Sequence, residues 1–467
     1  MKCSRTSSRQ NQYFIFSALS SYLRCQFPSS VSASFNSYSA GSAFVPNSFS
    51  VSSVHSYTPK SPTFQRSYSV STKLKEQLFE SRELPPNFPR HDEIQKALVA
   101  IRRASQITTL YQPETTPDIA TLSKADDSPV TLADFAVQAV ILHHLNSEKY
   151  GFIAEESSLE VQSNPSLTQN ILEATQSHGI MNASRLYKSI DVGKSYLDWF
   201  DENSGIQNEN KKPDKIWVLD PIDGTKGFLR GKHTGGQYCI ALALLENGIP
   251  TIGILSCPNL PTKGSSNLEW NLDEISGQQS TNRGCIFVAS QGGGCYQLPL
   301  FPGPVINHLP LQVTFNQDES ERSLSHARFC IGVERSFGDY LNQTFSMAEL
   351  LHAKEDVFDD QGDIRQSIRI DSQAKFGVIG RGDAEYYVRL PRPDYQEWIW
   401  DQAAGYVVLQ ECGGEMTDTC GKKIDFSLGP KLGMHVKGVL GSNGSIFHKA
   451  LVAAYKEQED MRETTKK

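Results

Sequence analysis

Residues 216–225, Ile-Trp-Val-Leu-Asp-Pro-Ile-Asp-Gly-Thr, place two carboxylates directly after an apolar run. The run 216–219 predicts a short buried strand, and Asp220 and Asp223 follow it. The proline between them restricts the turn, and the glycine after them permits a sharp bend. An Asp-Gly pair by itself is typical of a hairpin. Because hard cations such as Mg²⁺ take carboxylate oxygens together with phosphate oxygens, the complete stretch predicts a metal site at a strand end.

Three other acidic residues stand beside predicted elements. Glu155 follows the short apolar run 150–154, which predicts a strand. Asp401 opens a predicted helix, and Asp134 lies three positions after Thr131, at the start of a helix predicted over 131–145. Each also has a purely structural interpretation. Glu155 fits a solvated loop, Asp401 fits a helix N-cap, and Thr131 with Asp134 fits a capping box. Taken singly, none of the three establishes a functional site.

Taken in order, these elements resemble the lithium-sensitive, magnesium-dependent phosphatase superfamily of inositol monophosphatases and fructose bisphosphatases. The motifs that carry the resemblance are Asp134, Glu155-Glu156, Asp-Pro-Ile-Asp-Gly-Thr (220–225) and Trp-Asp-Gln-Ala-Ala-Gly (400–405). Three longer segments resemble the branch of 3′(2′),5′-bisphosphate nucleotidases, which remove the 3′-phosphate of adenosine 3′,5′-bisphosphate. These segments are Asp-Ser-Pro-Val-Thr (127–131), Gly-Thr-Lys-Gly-Phe-Leu-Arg-Gly (224–231) and Asp-Ser-Gln-Ala-Lys-Phe (371–376).

The similarity covers residues 89–455 and implies both a fold and a cofactor. The implied fold class is α+β or α/β, a layered αβαβα sandwich of the inositol monophosphatase type. The implied cofactor is Mg²⁺. In this family pattern, Glu155, Asp220 and the carbonyl of Ile222 hold one Mg²⁺, and Asp220, Asp223 and Asp401 hold a second. Bridged cations of this kind clamp a phosphate, lower the pKa of a bound water and neutralise the leaving oxygen.

The resemblance also implies catalytic and substrate-binding residues. Asp134, with Thr225 beside it, orients and deprotonates the attacking water. The implied substrate-binding residues are Thr225, Ser372, Lys375, Arg389 and Asp401. A lysine and an arginine suit a retained 5′-phosphate. One segment departs from the pattern: the family usually places a histidine near the nucleotide shortly after the strand at 331–333, and residues 334–339 here contain none.

The N-terminal segment has the composition of a targeting peptide. The first acidic residue of the chain is Glu76, and the preceding residues are rich in serine and carry only basic charges. Such a segment is typical of an organelle transit peptide, although a merely disordered tail also fits. Gln-Arg-Ser-Tyr-Ser (65–69) resembles a mitochondrial processing site. We therefore expect a mitochondrial protein, with a plastid as the alternative.

Charge and hydropathy limit the partners. Cleavage after Tyr68 removes six basic residues, so the formal net charge changes from −7 to −13. An acidic protein is a poor partner for nucleic acids and anionic membranes. No apolar run reaches the roughly 18–20 residues of a membrane helix. We expect a small-molecule nucleotide substrate, no nucleic-acid or membrane partner, and protein partners that the sequence does not specify.

The predicted organisation has four regions. They are a transit peptide (1–75), an N-terminal α+β metal-binding domain (76–300), a C-terminal α/β domain (301–455) and a polar tail (456–467). Residues 157–213 are interpreted as mostly connection around one helix at 170–175. The nine cysteines form no Cys-x-x-Cys pair, so no zinc knuckle or thioredoxin-type motif is predicted.

Gly193-Lys194-Ser195 has the last three residues of a P-loop, but Lys188 stands where its first glycine belongs, so the P-loop pattern is absent.

The sequence leaves three hypotheses for function. The first is a nucleotidase that converts adenosine 3′,5′-bisphosphate to AMP and phosphate, with the 5′-phosphosulfate form PAPS as a further substrate. The second is a sister enzyme, an inositol polyphosphate 1-phosphatase or inositol monophosphatase. The third is a non-catalytic nucleotide-binding sensor.

Overall fold

A computed structural model describes a large part of the chain after residue 83. The described residues are 84–114, 122–123, 129–232, 236–261, 283–300, 309–310, 327–332, 338–352, 357–358, 364, 367–391 and 395–466. The predicted transit peptide, its processing site after Tyr68 and the histidine-less segment up to residue 337 lie outside these ranges. The localisation and the cleavage point therefore stay predictions.

Helices and strands alternate irregularly along the described residues. The α-helices are α1 (His91–Tyr111), α2 (Leu132–Leu145), α3 (Leu159–Ser163), α4 (Pro165–Thr175), α5 (Ala183–Asp191), α6 (Thr225–Arg230), α7 (Gly338–Leu351), α8 (Ala374–Gly380), α9 (Ala403–Glu411) and α10 (Ser445–Lys466). The strands are β1 (Leu122–Ser123), β2 (Pro129–Val130), β3 (Gly151–Ala154), β4 (Phe200–Asp201), β5 (Ile206–Gln207), β6 (Lys215–Asp223), β7 (Cys239–Glu246), β8 (Ile249–Pro261), β9 (Arg283–Ser290), β10 (Gly294–Pro299), β11 (Leu309–Pro310), β12 (Phe329–Ile331), β13 (Ser367–Arg369), β14 (Tyr386–Arg389), β15 (Glu415–Asp418) and β16 (Val439–Ser442).

Two mixed sheets form the framework. The first has seven strands in the order β11-β10-β9-β8-β7-β6-β3, in which the β3–β6 pair is parallel and the other pairs are antiparallel. The second has five strands in the order β13-β12-β14-β16-β15, with β12 parallel to both of its neighbours. Further pairs, β1–β2 and β4–β5, are separate two-stranded ribbons.

The packing of apolar side chains gives five layers. In β7, Leu242 and its alternate neighbours pack with α1 and α2, whereas Ala241 and the opposite set pack with α8 and α9. This alternation follows from the two-residue period of a strand. The same α8 and α9 core reaches Cys330 and Tyr387 of the second sheet, whose other face packs on α7 and α10 around Phe447. The resulting order of helices and sheets is αβαβα, which confirms the predicted fold class.

The region 157–213 was interpreted wrongly as mostly connection. It contains three helices, α3, α4 and α5, followed by a 3₁₀ segment at Val192–Asp198. Asn164 and Asn182 cap α4 and α5 by accepting hydrogen bonds from backbone N–H groups. These helices are only 5, 11 and 9 residues long, so each offers few positions in which a helical pattern can be recognised. The two asparagine caps were the local signal that could have identified them.

The two-domain division at residue 300 stays a prediction. The predicted polar tail continues as helix: α10 runs without interruption through Lys466.

Within the described residues, none of the helices combines the length and the apolar character that crossing a membrane requires.

Candidate active site

Two predicted metal ligands lie side by side at one edge of the seven-stranded sheet. Strands β3 and β6 are parallel, and Ala154 pairs with Leu219 in their register. Glu155 is the residue directly after β3, and Asp220 is the residue after Leu219 within β6, so the two lie at the same end of this strand pair. The pairing of β6 with β7 becomes irregular between Asp220 and Asp223, which places Asp223 beyond the regular ladder.

Asp220 is buried in an unusual electrostatic setting. Its side chain is almost fully enclosed, and its Oδ1 atom has no hydrogen-bond partner among the residues that the structure describes. Burial, and after it the negative charges of Glu155, Asp223 and Asp401, hold the pKa of Asp220 well above its usual range. Buried carboxylates without partners are costly. The acidic residues from three motifs therefore lie close enough to repel one another.

Asp223 and Asp401 show the same electrostatic pattern. Burial raises the pKa of Asp223, while Lys375 and a hydrogen bond from the backbone N–H of Gln373 oppose the rise. Burial, the charge of Glu397 and the charges of the other site carboxylates raise the pKa of Asp401. The N-cap interpretation of Asp401 is wrong, because Gln402 occupies the N-cap position of α9 and Asp401 lies in the preceding 3₁₀ turn, Ile399–Asp401.

The chemistry of this group of acids fits a divalent cation. The available ligands are carboxylate oxygens, which hard cations prefer. A cation beside the enclosed Oδ1 of Asp220 would offset the cost of burying this charged oxygen. As placed, no three His, Cys, Asp or Glu side chains in the described part of the chain converge closely enough to ligate one ion. Carboxylates at close range repel one another, which keeps these side chains apart. In addition, Asp223 Oδ2 accepts a 2.7 Å hydrogen bond from Gln373 N.

The residues predicted to act on the attacking water lie on two helix starts. Thr225 begins α6, and its Oγ1 donates a 3.0 Å hydrogen bond to the carbonyl of Ile222. Asp134 is buried at the start of α2, where its Oδ2 accepts hydrogen bonds from Thr131 N (2.8 Å) and Thr131 Oγ1 (2.6 Å). The capping-box interpretation is therefore confirmed. Ala133 packs against Ile222, so the two helix starts adjoin.

Three of the predicted substrate-binding residues, Ser372, Lys375 and Arg389, lie near the acids. Ser372 has a φ of 67°, which is rare for a residue with a side chain, and a Cβ atom at Gly224 would lie 2.9 Å from Ser372 Cβ. Burial lowers the pKa of Lys375, and the charge of Asp223 opposes this shift. Arg389 Nε donates a 2.9 Å hydrogen bond to Glu397 Oε1. The structure thus brings all three near the predicted metal ligands.

Gln373 is a structural residue of the site that the sequence analysis missed. Besides the bond from its backbone to Asp223, its Nε2 donates to the carbonyl of Trp400 (2.8 Å) and its Oε1 accepts from Gly405 N (3.0 Å). Its side chain is buried. One glutamine therefore joins the segments around Asp223, Ser372 and Asp401. The available signal was its place within Asp-Ser-Gln-Ala-Lys-Phe (371–376), a segment that already carried the family resemblance.

A second missed contact joins α6 to the turn before α8. The guanidinium of Arg230 forms an ion pair with Asp371, and both side chains are largely buried. Gly227, in the same helix, has no space for a side chain, because a Cβ atom there would lie 1.9 Å from the carbonyl oxygen of Gln237. The ion pair and this close approach hold Thr225 and Ser372 on facing segments.

The chain is similar to known proteins of one family. The model of the Inositol monophosphatase family matches residues 91–460. A 3′(2′),5′-bisphosphate nucleotidase of Dictyostelium discoideum is 35% identical over 69% of this chain and 84% of its own. The 3′,5′-bisphosphate nucleotidase AHL of Arabidopsis thaliana is 31% identical over 71% of this chain and 87% of its own.

Among solved structures, an IMPase of Thermotoga maritima is 18% identical, with a TM-score of 0.46 over 79% of this chain and 99% of its own. The family model spans most of the chain, and the nucleotidases are matched over more than four fifths of their length. The chain therefore belongs to the inositol monophosphatase family, within its branch of 3′(2′),5′-bisphosphate nucleotidases.

Proposed function

We propose that this protein is a Mg²⁺-dependent phosphatase that hydrolyses the 3′-phosphate of adenosine 3′,5′-bisphosphate to give AMP and phosphate. PAPS is proposed as a second substrate. The observation that carries the proposal is the enclosed Asp220, whose unpartnered Oδ1 lies among the charges of Glu155, Asp223 and Asp401. The family and the names of its nucleotidase relatives support the choice of substrate.

The residues that would hold Mg²⁺ are Glu155, Asp220, the carbonyl of Ile222, Asp223 and Asp401. Bound there, Mg²⁺ would supply positive charge to the phosphate and lower the pKa of the attacking water. The protein's own contribution is position, which is the main requirement of phosphoryl transfer. Thr225 donates its hydroxyl hydrogen to Ile222 O, so its own oxygen lone pairs remain available to orient a water.

Asp134 is proposed to accept the proton from that water. Its Oδ2 is held by two hydrogen bonds from Thr131, so the carboxylate cannot rotate freely. A general base in a fixed orientation is what proton abstraction requires. The capping-box role and the proposed catalytic role use the same carboxylate, because the hydrogen bonds of the cap set its orientation.

Lys375, Arg389 and Ser372 are proposed to hold the 5′-phosphate that is not cleaved. Both cations lie beside carboxylates of the site, Lys375 near Asp223 and Arg389 near Asp401. A substrate with a second phosphate would therefore span the acids and these cations. A monophosphate such as inositol 1-phosphate has no group for the cations, which favours a bisphosphate substrate over the inositol monophosphatase alternative. An inositol polyphosphate also carries a second phosphate, and against it the proposal is supported by the names of the nucleotidase relatives.

Phosphate release measured side by side tests the proposal. The substrates are adenosine 3′,5′-bisphosphate, inositol 1,4-bisphosphate and fructose 1,6-bisphosphate, each with and without Mg²⁺. We expect turnover of the nucleotide to exceed that of the others and to require the metal. Equal or faster turnover of the inositol substrate would favour the sister phosphatase. Tight binding of the nucleotide without phosphate release would favour the non-catalytic sensor.

We also propose a mitochondrial location, with a plastid as the alternative, after removal of an N-terminal peptide within residues 1–75. The acid-free, serine-rich composition of that segment supports it. The N-terminal sequence of the protein isolated from organelles tests this. An intact Met1 would contradict it. A small-molecule nucleotide is the proposed partner, with no nucleic acid and no membrane.

A further inference from the structure

Gly193-Lys194-Ser195, which resembles part of a P-loop, packs against the strand that precedes Glu155 and forms hydrogen bonds with its backbone. Ser195 Oγ accepts a hydrogen bond from Phe152 N (3.0 Å) and donates one to Phe152 O (3.2 Å). Strand β3 is the last strand of the seven-stranded sheet on this side in the described residues. The serine hydroxyl therefore takes the place of a neighbouring strand at the sheet edge.

Gly193 permits a close approach between this segment and β3. A Cβ atom at Gly193 would lie 2.6 Å from Ala154 Cβ and 3.0 Å from Gln138 Nε2. Gln138 in turn donates to Glu156 O (2.8 Å) and accepts from Glu156 N (2.9 Å). The backbone on both sides of Glu155 is thus held by buried contacts, and the following lysine is brought within reach of it.

Lys194 connects two predicted metal ligands that are far apart in the sequence. Its Nζ donates to the carbonyl oxygens of Ala154 and Glu155, both at 3.1 Å. The same ammonium group lies 5.7 Å from the ring centroid of Trp400, the residue before Asp401. One cation therefore binds the backbone of Glu155 and packs over the indole that adjoins Asp401.

We propose that Lys194 is a positioning residue that sets the placement of Glu155 relative to Asp401 and thereby the affinity of the site for Mg²⁺. This inference rests on the proposed function. A charged donor forms stronger hydrogen bonds than a neutral one, and contacts that orient metal ligands typically change metal affinity by about 10–100-fold. We assign the lysine no contact with substrate or with the reacting atoms.

Lys212 provides a matched control. Its Nζ donates to Gln207 Oε1 (2.6 Å) and Ser427 O (2.8 Å) and lies 5.6 Å from the ring centroid of Trp199. It therefore makes the same kinds of contact as Lys194, and like Lys194 it is partly buried. None of these contacts involves a predicted metal ligand.

The test is the dissociation constant of Mg²⁺ from the full chain, measured by calorimetric titration without substrate and checked by the Mg²⁺-induced rise in Tm. We expect Lys194→Met to weaken Mg²⁺ binding by at least about tenfold and Lys212→Met to leave it within about twofold. Lys194→Arg keeps a charged donor and is expected to restore binding to within about threefold of the wild type. The Tm of each metal-free variant shows that it is folded.

Lys194→Gln is the second variant if Lys194→Met does not fold, and the same loss of affinity is expected. The inference is overturned if the folded Lys194 variants bind Mg²⁺ no more weakly than Lys212→Met, or if Lys194→Arg is as weak as Lys194→Met. If the wild type binds Mg²⁺ and releases phosphate, and Lys194→Met or Lys194→Gln binds Mg²⁺ equally well, this inference alone is overturned. A wild type that neither binds Mg²⁺ nor releases phosphate would overturn the proposed function with it.

Discussion

The two ends of strand β6 carry charges in opposite electrostatic settings. At its start, Lys215 forms 3.0 Å ion pairs with Glu93 and Glu246, and Arg90 forms a 2.7 Å pair with Glu246. Burial acts to raise the pKa of both glutamates there, but the hydrogen bonds and charges of the cations lower it overall. Toward its other end, burial and the other carboxylates raise the pKa of Asp220.

The difference separates a structural use of charge from a functional one. Charges that only support the fold are compensated by partners within the chain, as Glu246 is. Carboxylates that remain uncompensated and buried cost stability, and such costs are typical of binding and catalytic sites. The contrast along one strand predicts that substitutions at its two ends change different properties.

The largest effect is expected for Asp220→Asn. Loss of this carboxylate should reduce phosphate release by at least about 10³-fold, because both predicted Mg²⁺ sites would use it. The same change removes buried negative charge, so the metal-free variant should unfold at a Tm about 2 °C higher than that of the wild type. Phosphate release and thermal unfolding without metal measure the two effects. Retained activity would place the metals elsewhere.

Gln373→Leu is expected to have the second-largest effect, chiefly by lowering the stability of the fold. The leucine leaves the carbonyl of Trp400 and the N–H of Gly405 without the partners that the amide supplies. We expect the free energy of unfolding to fall by about 2–3 kcal/mol, together with a loss of activity at limiting Mg²⁺. Urea denaturation gives the stability. A change below about 0.5 kcal/mol would show that Gln373 does not join the three segments.

Arg230→Met tests the ion pair that holds α6 against the segment of Ser372. Without it, the residues predicted to bind substrate lose their relative placement. We expect the KM for adenosine 3′,5′-bisphosphate to rise by about three- to tenfold, which corresponds to about 1 kcal/mol, with a smaller change in kcat. Steady-state kinetics measure both constants. Asp371→Asn, which weakens the pair from the other side, should have the same effect, and disagreement between the two variants would contradict a shared role.

Lys215→Met should have the smallest effect and leave activity unchanged. The folded-state pKa values of Glu93 and Glu246 lie below the usual 4.5. Their contribution to stability is therefore present above that pH and is lost as the pH falls through the lowered values. These groups are partly exposed, so we expect a loss of about 0.5 kcal/mol at pH 7 and a weaker decline in stability on acidification from pH 5 to pH 3.

Denaturation of the wild type and Lys215→Met at both pH values measures this difference. Equal pH dependence in the two proteins would show that the ion pairs do not lower the pKa values. A loss of phosphatase activity in Lys215→Met would contradict the division of roles along β6.

Local patterns in the sequence identified much of the fold. Helix α2 with its capping box at Thr131, the strand before Glu155 and the strand before Asp220 were all predicted, because each depends on residues within a few positions of one another. The short helices α3 and α5 were missed, because helices of five and nine residues contain few positions in which a local pattern can be recognised. Their stability comes from packing against α2 and α4, which no local pattern contains.

The sequence by itself determined which side chains can serve the chemistry and which family pattern they follow. Only the tertiary structure decided that Asp220 is buried among other carboxylates, and that Gln373 and Lys194 join segments distant along the chain; the backbone of Gln373 bonds to a residue 150 positions away. The physical reason is that burial and electrostatic coupling depend on distance in space, whereas a motif records only distance along the chain.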